Sequence, residues 1–193
     1  MLPHEITHPA AYYAGNAYFY EWGAAHSPSR FGGPSNVKFN GLKCGPRALH
    51  HVLTLNGQHI GLDEENFSEL PLFYGLCYDG CIMAYQVESP SSSRLVELQP
   101  GESASDWPYE HYPQLLPYTP LRLSKRTPCS PEQFSACLLH PTQINPQEAT
   151  IVVPPVFDLG ISLWGPAGDA EGVQIIFRID PASRMIRVHN ACA

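Results

Sequence analysis

The chain has 193 residues with 18 acidic and 11 basic side chains, a net charge of −7, and a hydrophobic fraction of 44 %. That length fits one domain with a core of ordinary size, and the hydrophobic content excludes disorder as the default. The acidic balance argues against nucleic-acid binding, which needs clustered Lys and Arg.

Twenty prolines exclude a helical bundle. Each fixes φ and lacks an N–H, so short elements joined by rigid turns are expected. Met1-Leu2-Pro3-His4-Glu5 has neither the basic nor the apolar stretch of a signal peptide. No apolar run is long enough to span a bilayer. Six cysteines are too few for a disulfide-dense secreted scaffold and read as thiols. The expectation is a single domain over residues 1–193, cytoplasmic and without membrane contact.

In chain order, residues 1–60 are rich in Tyr, Gly, Ala and His and carry a small positive balance. Pro46 to Leu55 reads as a helix, or as a strand over Val52–Leu55. Residues 61–110 follow with Asp63, Glu64, Glu65, Glu69, Asp79, Glu88, Glu97, Glu102, Asp106 and Glu110 against Arg94 alone. The rest of the chain is close to balanced, so the net charge arises in this middle quarter.

Within it, Ile82–Val87 and Arg94–Leu98 flank Glu88-Ser89-Pro90-Ser91-Ser92-Ser93 and predict a hairpin. Ser130 then caps a helix over Pro131–Leu139, with Pro at the first helical position and Glu132 at the positive end of the dipole. Phe134, Cys137 and Leu138 share its apolar face. Thr150–Val153 is a buried strand stopped by Pro154-Pro155. Val173–Ile179 and Met185–His189 form a closing hairpin around Asp180-Pro181-Ala182-Ser183. The whole predicts an α+β class: a mostly antiparallel β-sheet with few short helices and Pro-rich loops.

Three features carry candidate chemistry. The acids of 61–110 are interleaved with aromatics, an arrangement suited to a basic protein partner; the bland counterpart is a solvated face. The residues nominated for partner binding are Asp63, Glu64, Glu65, Glu69, Asp79, Glu102, Asp106, Trp107 and Glu110. Next, Cys77-Tyr78-Asp79-Gly80-Cys81 with Cys44 and His50 or His51 offers structural zinc, but the usual second knuckle is missing. Two buried cysteines around a turn explain the same residues, and no cofactor is expected.

The third feature is Cys44-Gly45-Pro46-Arg47-Ala48-Leu49, which resembles the nucleophile motif of papain-like peptidases that cleave leader peptides. The resemblance implies a thiol hydrolase with His189, followed by Asn190, as base. The Gln expected ahead of the nucleophile is absent, and Asn40 is the nearest amide. The bland reading is a buried Cys opening a tight turn.

Longer stretches resemble a family. Arg30-Phe31-Gly32-Gly33-Pro34, Cys44, Leu53-Thr54-Leu55-Asn56, and Leu70-Pro71-Leu72-Phe73-Tyr74 with Cys77 and Cys81 run in an order similar to the YwqG-like bacterial proteins and the related programmed-cell-death-protein family. Trp164-Gly165-Pro166-Ala167-Gly168-Asp169 before Val173–Ile179 resembles the family's closing element. The central-strand Gln of that family is replaced by Leu55-Asn56. The resemblance implies a β-rich fold without an established catalytic centre. Small acidic bacterial proteins of this class are often immunity partners of secreted toxins, and the analogy makes a basic toxin, a nuclease by preference, the expected partner.

Overall fold

A computed structural model of the chain describes residues 2–23, 26–41, 49–76, 81–100, 115–160, 163 and 172–191, without the side chains of Glu64, Asn66, Cys81, Pro100 and Phe157. Among the described residues twelve strands make one sheet. They are β1 (Ala10–Tyr13), β2 (Asn16–Trp22), β3 (Ser29–Phe31), β4 (Lys38–Gly41), β5 (His50–Leu55), β6 (Leu70–Tyr74), β7 (Cys81–Ser89), β8 (Ser92–Pro100), β9 (Thr119–Pro128), β10 (Ala149–Val153), β11 (Gln174–Asp180) and β12 (Met185–Ala191). Their order across the sheet is β4-β8-β7-β12-β11-β10-β1-β2-β9-β3-β5-β6. All pairs are antiparallel except β4 with β8, which is parallel.

Side chains alternate across the sheet with the strand period of two. Ala149, Ile151 and Val153 of β10 and Ile175, Phe177 and Ile179 of β11 enter one large core, which also takes Leu53, Leu55, Leu72, Tyr85 and Leu121 from distant strands. Val152 and Ile176, one position out of phase, join a second core on the opposite face with Ala10, Tyr12 and Phe134.

One core shared by so many strands requires a strongly curled sheet. The two terminal strands of the order meet through Phe39 of β4 and Phe73 of β6, whose ring centroids are 5.0 Å apart. Tyr85 of β7 stands edge-on to both rings. Its buried hydroxyl accepts a hydrogen bond from the Phe73 N–H at 3.0 Å. This seam satisfies a backbone donor of the last strand, which would otherwise stay buried and unpaired.

The closing hairpin forms as its turn chemistry predicts. Asp180 accepts from the backbone N–H groups of Ala182 and Ser183 and from the Ser183 hydroxyl. The β7–β8 hairpin also forms, but its strands run on to Ser89 and Ser92 and leave only Pro90 and Ser91 between them. Of the two readings of Pro46 to Leu55, the strand holds for the described residues, since β5 covers His50–Leu55; residues 42–48 lie outside them.

The predicted helix over Pro131–Leu139 is corrected to a shorter one, α2 (Pro131–Ser135). Its start is as expected: Ser130 and Gln133 form a reciprocal capping box. It ends early because the Ser135 hydroxyl accepts from the Thr142 N–H and donates to the Thr142 carbonyl. That clip folds residues 136–142 back across the outer face. Phe134, Cys137 and Leu138 still bury there together. The only other α-helix among the described residues is the four-residue α1 (Glu64–Phe67). The fold is therefore β-rich, with little helix.

Strand directions give the curled sheet two distinct ends. At the turn end lie Ala14-Gly15, the β5–β6 connection (56–69), Pro90-Ser91, the β9–β10 connection (129–148) and the β11–β12 turn (181–184). The opposite end receives the N-terminal residues before β1 and the strand ends that flank 42–49, 75–80, 101–118 and 154–173. We call it the strap end, because residues 2–8 cross it.

Candidate functional site

Four of the nominated residues lie among those described. Asp63, Glu64, Glu65 and Glu69 belong to the β5–β6 connection at the turn end. Asp79, Glu102, Asp106, Trp107 and Glu110 lie outside the described residues. The strands flanking their segments, β6 and β7 for the first and β8 and β9 for the rest, meet those segments at the strap end.

The turn-end group is a rigid corner. Asn56 caps a 3-10 turn over Gly57–Ile60, its side chain accepting from the Gln58 and His59 N–H groups. Gly61, at φ 81°, reverses the chain. The Asp63 carboxylate then caps α1 by accepting from the Glu65 N–H at 3.2 Å. Ile60, Leu62, Phe67 and Leu70 are buried beneath and anchor the corner to the main core. A Cβ on Gly57 would collide with the Phe67 carbonyl oxygen, so the 3-10 turn and α1 are in direct contact.

On this base Asp63, Glu65 and Glu69 are all exposed. Among the described residues, neither Glu65 nor Glu69 forms an ion pair. The acids of the β7–β8 hairpin differ. Glu88 accepts from the Asn40 amide at 2.9 Å and the Ser92 hydroxyl at 3.2 Å, with Arg94 3.5 Å away. Those bonds, the Asn40 one first, hold its carboxyl below the ordinary range. Glu97 is engaged by the Gln99 side chain at 2.6 Å.

Cys44, Cys77 and the Cys81 side chain, which carry the hydrolase and zinc expectations, lie outside the described residues. Their histidine partners are placed. His189 stands on the outer face of β12, half-buried, and burial followed by the charge of Arg178 lowers its pKa. His51 is buried, with Nδ1 3.1 Å from the Gly33 carbonyl and Nε2 2.7 Å from the Thr54 hydroxyl. A carbonyl can only accept, so Nδ1 carries the proton and Nε2 takes the threonine hydrogen. Burial keeps this imidazole neutral by lowering its pKa. Both ring nitrogens are used, so His51 is a satisfied core histidine. Among the described residues no group of three or more His, Cys, Asp or Glu could hold a metal ion.

The structure also assembles a cluster that sequence reasoning missed. Thr7 and His8 of the strap meet Trp22 at the end of β2 and Asp158 in the 3-10 turn Phe157–Leu159. The Trp22 indole N–H donates to Asp158 Oδ2. His8 Nε2 lies 4.0 Å from the same oxygen, and His8 Nδ1 lies 3.1 Å from the Thr7 hydroxyl. The His8 and Trp22 rings are 5.2 Å apart. Residues separated by about 150 positions leave no local signal, so only the fold reveals them.

A cavity opens on either side of the strap. One, of about 390 Å³, lies over β2 and β9 and is lined by Glu5, Thr7, His8, Phe19, Glu21 and Lys125 among others. The second, of about 380 Å³, has Ile6, Leu139, Pro154 and Pro155 as apolar walls with Glu5, Thr7, His8 and Asp158 as polar groups. The strap is pinned between them by Ile6, buried in the second core, whose N–H donates to the Cys137 carbonyl at 3.0 Å. No helix among the described residues is long and apolar enough to cross a membrane. No protein-family model, curated protein or solved structure matches this chain.

Proposed function

We propose that the chain is a non-catalytic binding protein that associates with a basic protein and inactivates it by covering its working surface. The partner of choice is a secreted bacterial toxin, a nuclease by preference, with this chain as its immunity protein in the cytoplasm. One observation carries the reading: Glu65 and Glu69 stand exposed on a capped, core-anchored corner, without an ion-pair partner among the described residues. Charges held on a rigid base need little ordering when a partner binds, so more of the contact energy appears as affinity. Exposed like charges also speed encounter with an oppositely charged surface and make it sensitive to salt. The resemblance to YwqG-like proteins agrees with a β-rich domain lacking a catalytic centre.

The test is to present the chain with the products of the genes flanking its own, at low and at high salt. A fast, salt-sensitive 1:1 complex that suppresses the partner's toxicity is expected. The combined reversal Asp63→Lys, Glu65→Lys and Glu69→Lys should slow association at least tenfold. Affinity unchanged by that reversal rejects this corner as the binding surface.

A further inference from the structure

We propose that the cleft between the strap and Pro154-Pro155 is a binding site for an alkyl ammonium or guanidinium group. It lies at the opposite end of the sheet from the acidic corner and stands independently of the partner-binding reading.

Its walls, Ile6, Leu139, Pro154 and Pro155, suit a hydrocarbon stem. Two carboxylates supply the polar contact. Asp158 is oriented through Oδ2 by the Trp22 indole N–H, so its second oxygen has no partner among the described residues. Glu5 makes no hydrogen bond or ion pair among them at all. Among the described residues no lysine or arginine lines this cavity, and the basic group that does is His8, its Nε2 4.0 Å from Asp158 Oδ2. The volume of about 380 Å³ falls in the range typical of small-molecule sites. A site with apolar sides, two carboxylates and a single histidine beside them selects a cation with an aliphatic stem over an anion or a neutral alcohol.

The same group reaches a protein either as a free amine or as an arginine side chain, and two probes separate these sources. Agmatine represents the free molecule, and the capped peptide acetyl-Gly-Arg-Gly-amide represents the side chain. Succinate serves as the anionic control. Titration calorimetry on the full chain should show 1:1 binding of at least one cationic probe, with the tighter probe naming the source. Asp158→Asn and Glu5→Gln should each weaken that binding at least tenfold while leaving the thermal midpoint in place. Three results overturn the proposal: neither cation binds, the bound cation is indifferent to both substitutions, or succinate binds as well as the cations do.

Discussion

The two ends of the curled sheet differ in the local caps they carry. At the turn end remote bonds, such as Cys129 N–H to the Gly15 carbonyl and the Gln86 amide to the Ser183 carbonyl, are joined by local caps: Asn56 reaches two and three residues ahead, Asp180 does the same, and Ser130 reaches three. At the strap end the bonds between segments are remote. His140 bonds Gly172 across 32 residues, Gln174 holds the His140 backbone across 34, and Trp22 bonds Asp158 across 136. Local caps close small loops at little entropic cost and form with the turn itself, whereas remote bonds exist only once the whole sheet is in place. The strap end should therefore open first under stress, and it is also where the cleft lies.

The sharpest way to break this comparison is to remove what links the ends. Phe134 of α2 is fully buried beneath the segment that runs from the turn end to the strap. Phe134→Ala should cost about 3–5 kcal/mol in denaturant unfolding. Amide exchange should rise at the Ile6 N–H while the Asn56 and Asp180 turns stay protected. Equal exposure at both ends would contradict the division.

A smaller loss is expected at the seam. Tyr85→Phe strands the Phe73 N–H that the hydroxyl now satisfies, costing about 1–3 kcal/mol. Faster exchange of that single amide reports it. Next comes Ser130→Ala, which removes a cap worth about 1 kcal/mol. Its effect should stay within α2 and leave cation binding at the strap end unchanged, as a local bond requires.

The smallest effect is a separation in pH. His51 and His189, in strands that begin or finish at the strap end, have native pKa values below the ordinary 6.5. The unfolded chain therefore takes up their protons first. Their contribution is complete above about pH 6.5 and is lost as pH falls through the depressed native values. Glu88 and Glu132 are lowered from 4.5 and Asp180 from 3.8, chiefly by neighbouring amide or hydroxyl donors. Their share, all from the turn end, persists until the pH falls below those values. Thermal midpoints followed from pH 8 to 3 should decline in two stages, and His51→Asn should remove part of the first stage only.

The same division explains what was legible in the sequence. Asp180-Pro181, Ser130-Pro131 and the Pro-Ser turn announce themselves because their chemistry is local, and the hairpins and α2 were placed from them. The early end of α2 was not, since the clip from Ser135 to Thr142 depends on a fold-back that propensity does not encode. β1 and β2 went unread although Ala14-Gly15 marks their turn, because their Ala- and Tyr-rich runs lack a clear polar alternation. β9 is masked by the exposed Arg122, Lys125 and Arg126 along it. Of the nominated partner-binding residues, Asp63, Glu65 and Glu69 are brought onto one corner, as their closeness in the chain allows. The His8–Trp22–Asp158 meeting had no sequence signal, because its members are neighbours only across the completed sheet.

The position of β1 has a consequence for synthesis. It lies in the middle of the strand order, between β2 and β10, and β2 in turn waits for β9. At roughly 5–20 residues per second, the ribosome needs on the order of ten seconds after β1 to deliver residues 149–153. Until β9 arrives the first hairpin of the nascent chain carries two unpaired edges, and until β10 arrives β1 keeps one, each a template for pairing with another polypeptide. A chain cut short before β9 thus exposes its future centre, so premature termination should yield aggregates rather than a smaller soluble domain.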